Sequence, residues 1–275
     1  MNRPAWGIGG ALLVWLASLF LVVVMPLVFL IPYASYKGLN TGTPNYVKAL
    51  AELAMSDKTA VLVQVLALVP SHLITLALVW ALVTRFGKQS FWEALGWGWE
   101  WSRGVRLAAC IGLGVALFFV GTKLARLVGA EKHTQLEEII NSSLAARYAI
   151  SCLAVLTAPL VEELVYRGVL YAPLERFAGA LGAVTVVLAL FTIIHVPQYW
   201  PNLGVIAAVA LLSIVLTLVR AYSGRLLPCF VIHLVFNGIQ AMILILEPYA
   251  RRFLPTPEQT APAATFLLSF INFSF

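Results

Sequence analysis

A chain of 275 residues that is 61% hydrophobic and 11% charged is far from a soluble domain, where about 25% of residues are charged. It excludes a large soluble domain and describes an integral, multi-pass membrane protein. The net charge of +6 comes mostly from residues flanking apolar runs. That suits contact with anionic membrane lipids, and no basic patch of the kind that holds nucleic acid is present.

Each crossing needs about 20 mostly apolar residues. Ala11 to Ile31 is the first. Its apolar core outruns the ~7–15 residues of a signal-peptide core and no small-residue cleavage site follows, so an uncleaved signal anchor is expected. Tyr33 to Lys58 is a polar connection, and Ala60 to Val83 is the second span. Arg85 to Arg106 carries Trp92, Trp97, Trp99 and Trp101 beside basic residues, the composition of a segment lying along the membrane surface. Its basic residues place the N-terminus inside, against a weaker set, Lys37, Lys48 and Lys58, on the other side. Leu107 to Val128 is the third span. Gly129 to Arg147, with Glu131, Lys132, Glu137 and Glu138, reads as a short amphipathic helix outside the hydrocarbon.

Tyr148 to about Leu174 is the fourth span, and Ala180 to Val196 a short fifth ending at Pro197. Tyr199 and Trp200 anchor the following turn at the interface. Val205 to Val219 and Leu226 to Leu246 are the sixth and seventh, and Ala261 to Phe275 is a partial eighth span or an interfacial tail. The three cysteines, Cys110, Cys152 and Cys229, lie in apolar runs with no CxxC spacing, which argues against a disulfide framework or a thiolate metal site. The expected fold is all-α: a polytopic transmembrane helical bundle of about seven to eight membrane helices. Residues 1–275 read as one membrane domain, with the spans and interfacial segment of 1–130 preceding a core at about 148–246 that carries the polar groups.

Those polar groups are the anomaly. Glu162, Glu163 and Arg167 sit inside an apolar run. Ionisable side chains at bilayer depth cost about 2.5–3.5 kcal/mol each on insertion scales, so three cost on the order of 8–10 kcal/mol before pairing. Glu163 and Arg167 stand four apart, the spacing of an ion pair on one helix face. Glu162 lies about 100° around the helix with Tyr166 as its i+4 neighbour. An unpaired buried carboxyl resists ionisation, which suits a proton acceptor near neutral pH.

The fifth span offers Phe191 and His195 four apart, the seventh His233 and Asn237. A carboxylate and an imidazole can activate water, and a second imidazole with an amide can stabilise an oxyanion. Glu162, His195 and His233 could equally hold a divalent metal such as zinc, although the HExxH spacing is absent. Taken singly the residues have plainer readings. A Glu-Glu-Arg cluster at a span end is often an interfacial salt bridge. Asn237 alone is helix glue, and His72, after Pro70, reads as a helix-packing hydrogen bonder. Phe191 packs beside the site.

Glu162-Glu163-Leu-Val-Tyr-Arg167 reads EExxxR, Phe191-Thr-Ile-Ile-His195 reads FxxxH, and His233-Leu-Val-Phe-Asn237 reads HxxxN. In this order on successive apolar segments they resemble the three motifs of the CAAX prenyl protease and bacteriocin-processing (CPBP, or abortive-infection) family of intramembrane proteases. The resemblance covers roughly Ser151 to Ile245. It implies a helical bundle with an intramembrane cavity, and hydrolysis of a peptide bond near a substrate's terminus. Glu162 and His195 would activate water, His233 and Asn237 would stabilise the oxyanion, and Glu163 with Arg167 would be a structural pair. The family is disputed between glutamate-activated water and a metal, and the former is the reading favoured here. The implied partner is a membrane-associated peptide or protein, prenylated or carrying a leader or sorting sequence. The compact chain suggests a prokaryotic cell membrane.

Two other readings compete. One is a non-catalytic scaffold or immunity protein that binds a peptide in the same cavity. The other is a proton-coupled transporter, although its polar groups would be confined to one half of the chain and no repeat is visible. There is also a geometric condition. From these span boundaries, Glu162 lies roughly 14 residues into one helix and His195 roughly 15 into the next. In straight upright helices crossing a ~30 Å core they would stand ~10–14 Å apart in depth.

Overall fold

The structure is a computed structural model and describes residues 6–99, 107–129 and 134–253. Every regular element among the described residues is helical. They are α1 (Ile8–Tyr36), α2 (Tyr46–Ser56), α3 (Lys58–Leu66), α4 (Leu68–Thr84), α5 (Phe91–Ala94), α6 (Leu107–Val128), α7 (Gln135–Ser142), α8 (Leu144–Leu156) and α9 (Ala158–Glu162). A π-helical segment (Glu163–Leu170), α10 (Tyr171–Tyr199), α11 (Leu203–Ser223) and α12 (Leu227–Phe253) follow. Six stretches are long and apolar enough to cross a membrane, and large apolar side chains such as Leu13, Phe20 and Leu73 stay exposed on them, as a lipid-facing bundle requires. The segment Ala261 to Phe275 lies outside the described residues.

The fourth of these stretches, Leu144–Tyr199, spans 56 residues and is two passes. Gly179 has φ 72° and ψ 174°, a conformation outside the helix that glycine adopts without a Cβ penalty. The rings of Tyr166 and Phe191 lie 5.1 Å apart, whereas 25 residues of straight helix would separate them by about 37 Å. The chain therefore doubles back at Gly179, between the expected fourth and fifth spans.

The first arm of this hairpin is itself interrupted. Thr157 leaves the helix at φ −121°, with Pro159 two residues on. A proline lacks the amide that would continue the ladder and clashes with the carbonyl four residues back. Beyond Glu162 the hydrogen bonds shift to i→i+5 spacing, and the Tyr171 amide donates to the Tyr166 carbonyl. Such wide turns concentrate at functional sites. All eight residues of the π-helical segment are buried. Around it gather Trp6, Val79, Val83, Leu95, Val187, Phe191 and Leu226, so one core joins the N-terminal and C-terminal spans.

The tryptophan-rich connection does more than lie on the surface. Leu95 is fully buried in that core, the rings of Trp97 and Phe230 are 5.3 Å apart, and the Gly96 carbonyl accepts the Leu226 amide at 3.0 Å. The reason is geometric: α5 is a single turn, and the chain after it dips under α12. Trp101, Arg103 and Arg106 lie outside the described residues, as do Glu131 and Lys132. The expected amphipathic helix beyond them is α7, opened by a capping box between Thr134 and Glu137.

Two contacts show how the bundle is tied. Asp57 caps α3: its Oδ1 accepts the Thr59 and Ala60 amides and the Tyr33 hydroxyl, each at 2.9 Å, and its Oδ2 pairs with Lys37 Nζ at 3.1 Å. The Ala60 amide, followed by Lys37, holds the Asp57 carboxyl down at about 2. A carboxylate depressed in the folded state supports folding above its unfolded value of about 4 and loses that support as pH falls through the folded value. Asp57→Asn should therefore flatten the fall in melting temperature between roughly pH 4 and pH 2, read by thermal unfolding in detergent across that range.

At the other contact, a Cβ added to Gly204 would stand 2.2 Å from the Ala125 carbonyl oxygen of α6. Small residues let membrane helices approach this closely. Gly204→Ala should force α11 off α6 and destabilise by about 1–3 kcal/mol. Gly238→Ala on α12, where an added Cβ meets nothing within 4 Å, is the neutral control in the same melt.

Candidate active site

The two adjacent glutamates stand at the junction where α9 passes into the π-helical segment, and the structure separates their environments. The Glu163 side chain is 0% exposed, whereas that of Glu162 is 24% exposed. Glu163 Oε1 accepts from Arg167 Nη1 at 3.0 Å and from His233 Nδ1 at 2.8 Å. Arg167, also 0% exposed, donates further through Nε to Thr217 Oγ1 at 3.2 Å, and through Nη2 to the Ser213 carbonyl at 3.1 Å and its hydroxyl at 3.0 Å. Its guanidinium carbon lies 4.6 Å from the centre of the Phe191 ring. The pair thus locks the π-helical segment to α11 and α12.

His233 is held by that lock. A carboxylate beside a guanidinium only accepts, so His233 Nδ1 carries the proton and Nε2 is the variable atom. Nε2 lies 3.8 Å from Glu162 Oε2, too long for a hydrogen bond but close enough for both to act on one small molecule. Glu162 also interacts electrostatically with His72 of α4, with Tyr166 on its own helix and with Tyr199 at the end of α10.

His195 is buried, and its Nδ1 lies 2.7 Å from the Phe191 carbonyl oxygen. A carbonyl cannot donate, so here too Nδ1 bears the proton. The neutral ring then presents a lone pair at Nε2, the form a general base needs. The Phe191 ring centre is 4.5 Å from that of His195 and 6.3 Å from that of His233, so Phe191 spaces the two imidazoles as a packing hub. Tyr199 stacks on His195 with planes 10° apart.

The depth condition is met by the hairpin. Glu162 lies 17 residues before Gly179 and His195 lies 16 after it, so two antiparallel arms of nearly equal length put them at one level. The apparent mismatch arose from counting Glu162 from the far end of an arm that is bent at Thr157, instead of from the turn the two arms share.

Asn237 is placed differently from the others. Its Nδ2 donates to the Ala154 carbonyl of α8 at 3.0 Å, tying α12 to the arm that bears Glu162. One of its two amide protons is therefore engaged in helix packing. Nor do Glu162, His195 and His233 form a metal cage: among the described residues no three His, Cys, Asp or Glu side chains are grouped closely enough to hold an ion. The donor types would suit zinc, but that grouping is absent among the described residues, so no step is derived through a metal.

Residues 145–239 match the family model of the Type II CAAX prenyl endopeptidase, Rce1-like. That stretch, about a third of the chain, is similar to the CAAX prenyl protease family. All seven motif residues from Glu162 to Asn237 fall inside the matched stretch. No curated protein and no solved structure matches the chain.

The matched stretch contains two groups that sequence reasoning passed over, Ser213 and Thr217. The signal was present as two hydroxyls four apart in an apolar span. What they serve is visible only once α11 lies against Arg167. A third comes from outside that stretch: Trp15 donates its indole N–H to the Tyr166 hydroxyl at 3.0 Å, while His72, which the sequence reads as a helix-packing hydrogen bonder, lies 2.8 Å from Thr157 Oγ1.

Proposed function

We propose that the protein hydrolyses a peptide bond near the terminus of a membrane-associated or lipidated substrate, using water activated by Glu162 and His195. The observation that carries this is the division of labour between neighbouring carboxylates. Glu163 is sealed from solvent and bound to Arg167 and His233, while Glu162 remains partly exposed and faces His233.

In the proposed sequence, the Glu162 carboxylate takes a proton from water, with His195 Nε2 accepting a hydrogen bond that orients the same molecule. The hydroxide attacks the scissile carbonyl carbon. The resulting oxyanion is stabilised by a proton on Nε2 of His233, whose ring is fixed through Nδ1 by Glu163, and by the second amide proton of Asn237. Collapse breaks the C–N bond, and the proton held by Glu162 passes to the leaving amine. Glu163 and Arg167 do no chemistry in this scheme; they fix the angle of His233. The shared core of Trp6, Val79 and Val83 with the π-helical segment supports treating the chain as one membrane domain. A prenylated C-terminal peptide, a leader or a sorting tail all fit this chemistry.

Mass spectrometry of membrane peptides from cells carrying the wild-type protein or Glu162→Gln tests the scheme. New termini present only with the wild type are expected, and they would identify the cleaved bond. Identical peptide sets in the two strains, with both proteins inserted, would argue for the peptide-binding scaffold instead.

A further inference from the structure

Charged and titratable groups interact with Glu162 from four elements: His233 on α12 at 3.8 Å, with Glu163 and Arg167 behind it, and electrostatically Tyr166 just beyond it in the π-helical segment, Tyr199 on α10 and His72 on α4. Only His72 comes from outside the stretch that matches the protease family. It is half-buried in an apolar span, where an ionisable side chain is a functional candidate by default.

The contact that fixes it is specific. His72 Nδ1 lies 2.8 Å from Thr157 Oγ1. With the Thr157 hydroxyl turned to the Leu153 carbonyl at 3.4 Å, the imidazole donates through Nδ1 and its Nε2 is left to gain or lose a proton. Thr157 is the residue at which α8 breaks, and its carbonyl accepts the Val161 amide at 3.0 Å. It therefore begins the short helix that ends at Glu162.

We propose that His72 is a positioning residue of the site: it fixes from α4 the start of the helix that carries Glu162 and presents a switchable charge to that carboxylate. Only the kinetic part of the test rests on the hydrolytic reading above.

The two roles separate in two variants. His72→Gln keeps an amide donor for Thr157 but cannot become cationic, and His72→Leu loses both functions. In detergent His72→Gln should melt close to wild type and His72→Leu lower. In cleavage assays His72→Gln should lower kcat on the order of 10-fold with KM within about twofold, as expected when a reacting group is misplaced without loss of substrate contacts. A readout independent of cleavage is the infrared carboxyl band of Glu162 in liposomes, assigned by its disappearance in Glu162→Gln. At fixed pH this band should move in His72→Gln. An unmoved band together with wild-type kcat would overturn the proposal and leave His72 as a helix tie. If the wild-type protein cleaves nothing, the hydrolytic reading falls, and the band alone then decides the case of His72.

Discussion

Glu162→Gln should give a protein that folds, inserts and melts like wild type, yet cleaves its peptide about 10²- to 10⁴-fold more slowly, the loss expected when a general base is removed. The side chain is partly exposed, and its nearest recorded ionic partner, His233, is 3.8 Å away, so an amide of the same shape disturbs little of the bundle. Glu163→Gln makes the sharp comparison. It changes the neighbouring residue by the same atoms but weakens the acceptor shared by Arg167 and His233, and should lose stability and activity together. Cleavage of a labelled peptide by purified protein in liposomes, alongside a thermal melt, separates the two cases. Full activity in Glu162→Gln would remove the proposed mechanism.

Arg167→Met should be among the most destabilising single substitutions, by about 3–5 kcal/mol, because it strands a buried carboxylate. Glu163 is 0% exposed and would retain only His233 at its Oε1. Ser213 and Thr217 would lose the donor they accept from. Removing both charges, in Glu163→Leu/Arg167→Met, should cost less than the two single changes added together, since neither charge is then left uncompensated. Reversible unfolding in detergent measures the cycle. Simple additivity would mean that the pair contributes nothing specific.

Much of this arrangement could be read before any coordinates. The apolar runs delimit the passes, and the four-residue spacing of Glu163 and Arg167 forecasts their contact, because helix geometry is local. What resisted reading was long-range or conformational. Nothing in Glu163–Leu170 marks it as π-helical rather than α-helical, since both keep the segment buried and both allow the 163–167 pair. The engagement of His233 by Glu163 depends on how α12 packs, so Glu163 reads from sequence as a partner of Arg167 alone. From sequence His72 reads as a packing residue, and its hydrogen bond to Thr157 fits that reading. Its nearness to Glu162 comes from α4 lying against α9, which no residue pattern records. The tryptophan-rich connection misleads for a related reason: composition identifies an interfacial segment without revealing that Leu95 is drawn beneath the hairpin.

The hairpin at Gly179 also limits how this chain can vary in length. Its two arms act as rulers measured from one zero mark, with Glu162 and His195 at nearly equal graduations. Residues added around the mark lengthen the loop and leave both readings level. A residue added between Gly179 and either group lifts that group alone by about 1.5 Å and swings it about 100° around its helix. Length changes in the two arms are therefore coupled, while the turn itself is the place where this chain can accept an inserted tag or epitope.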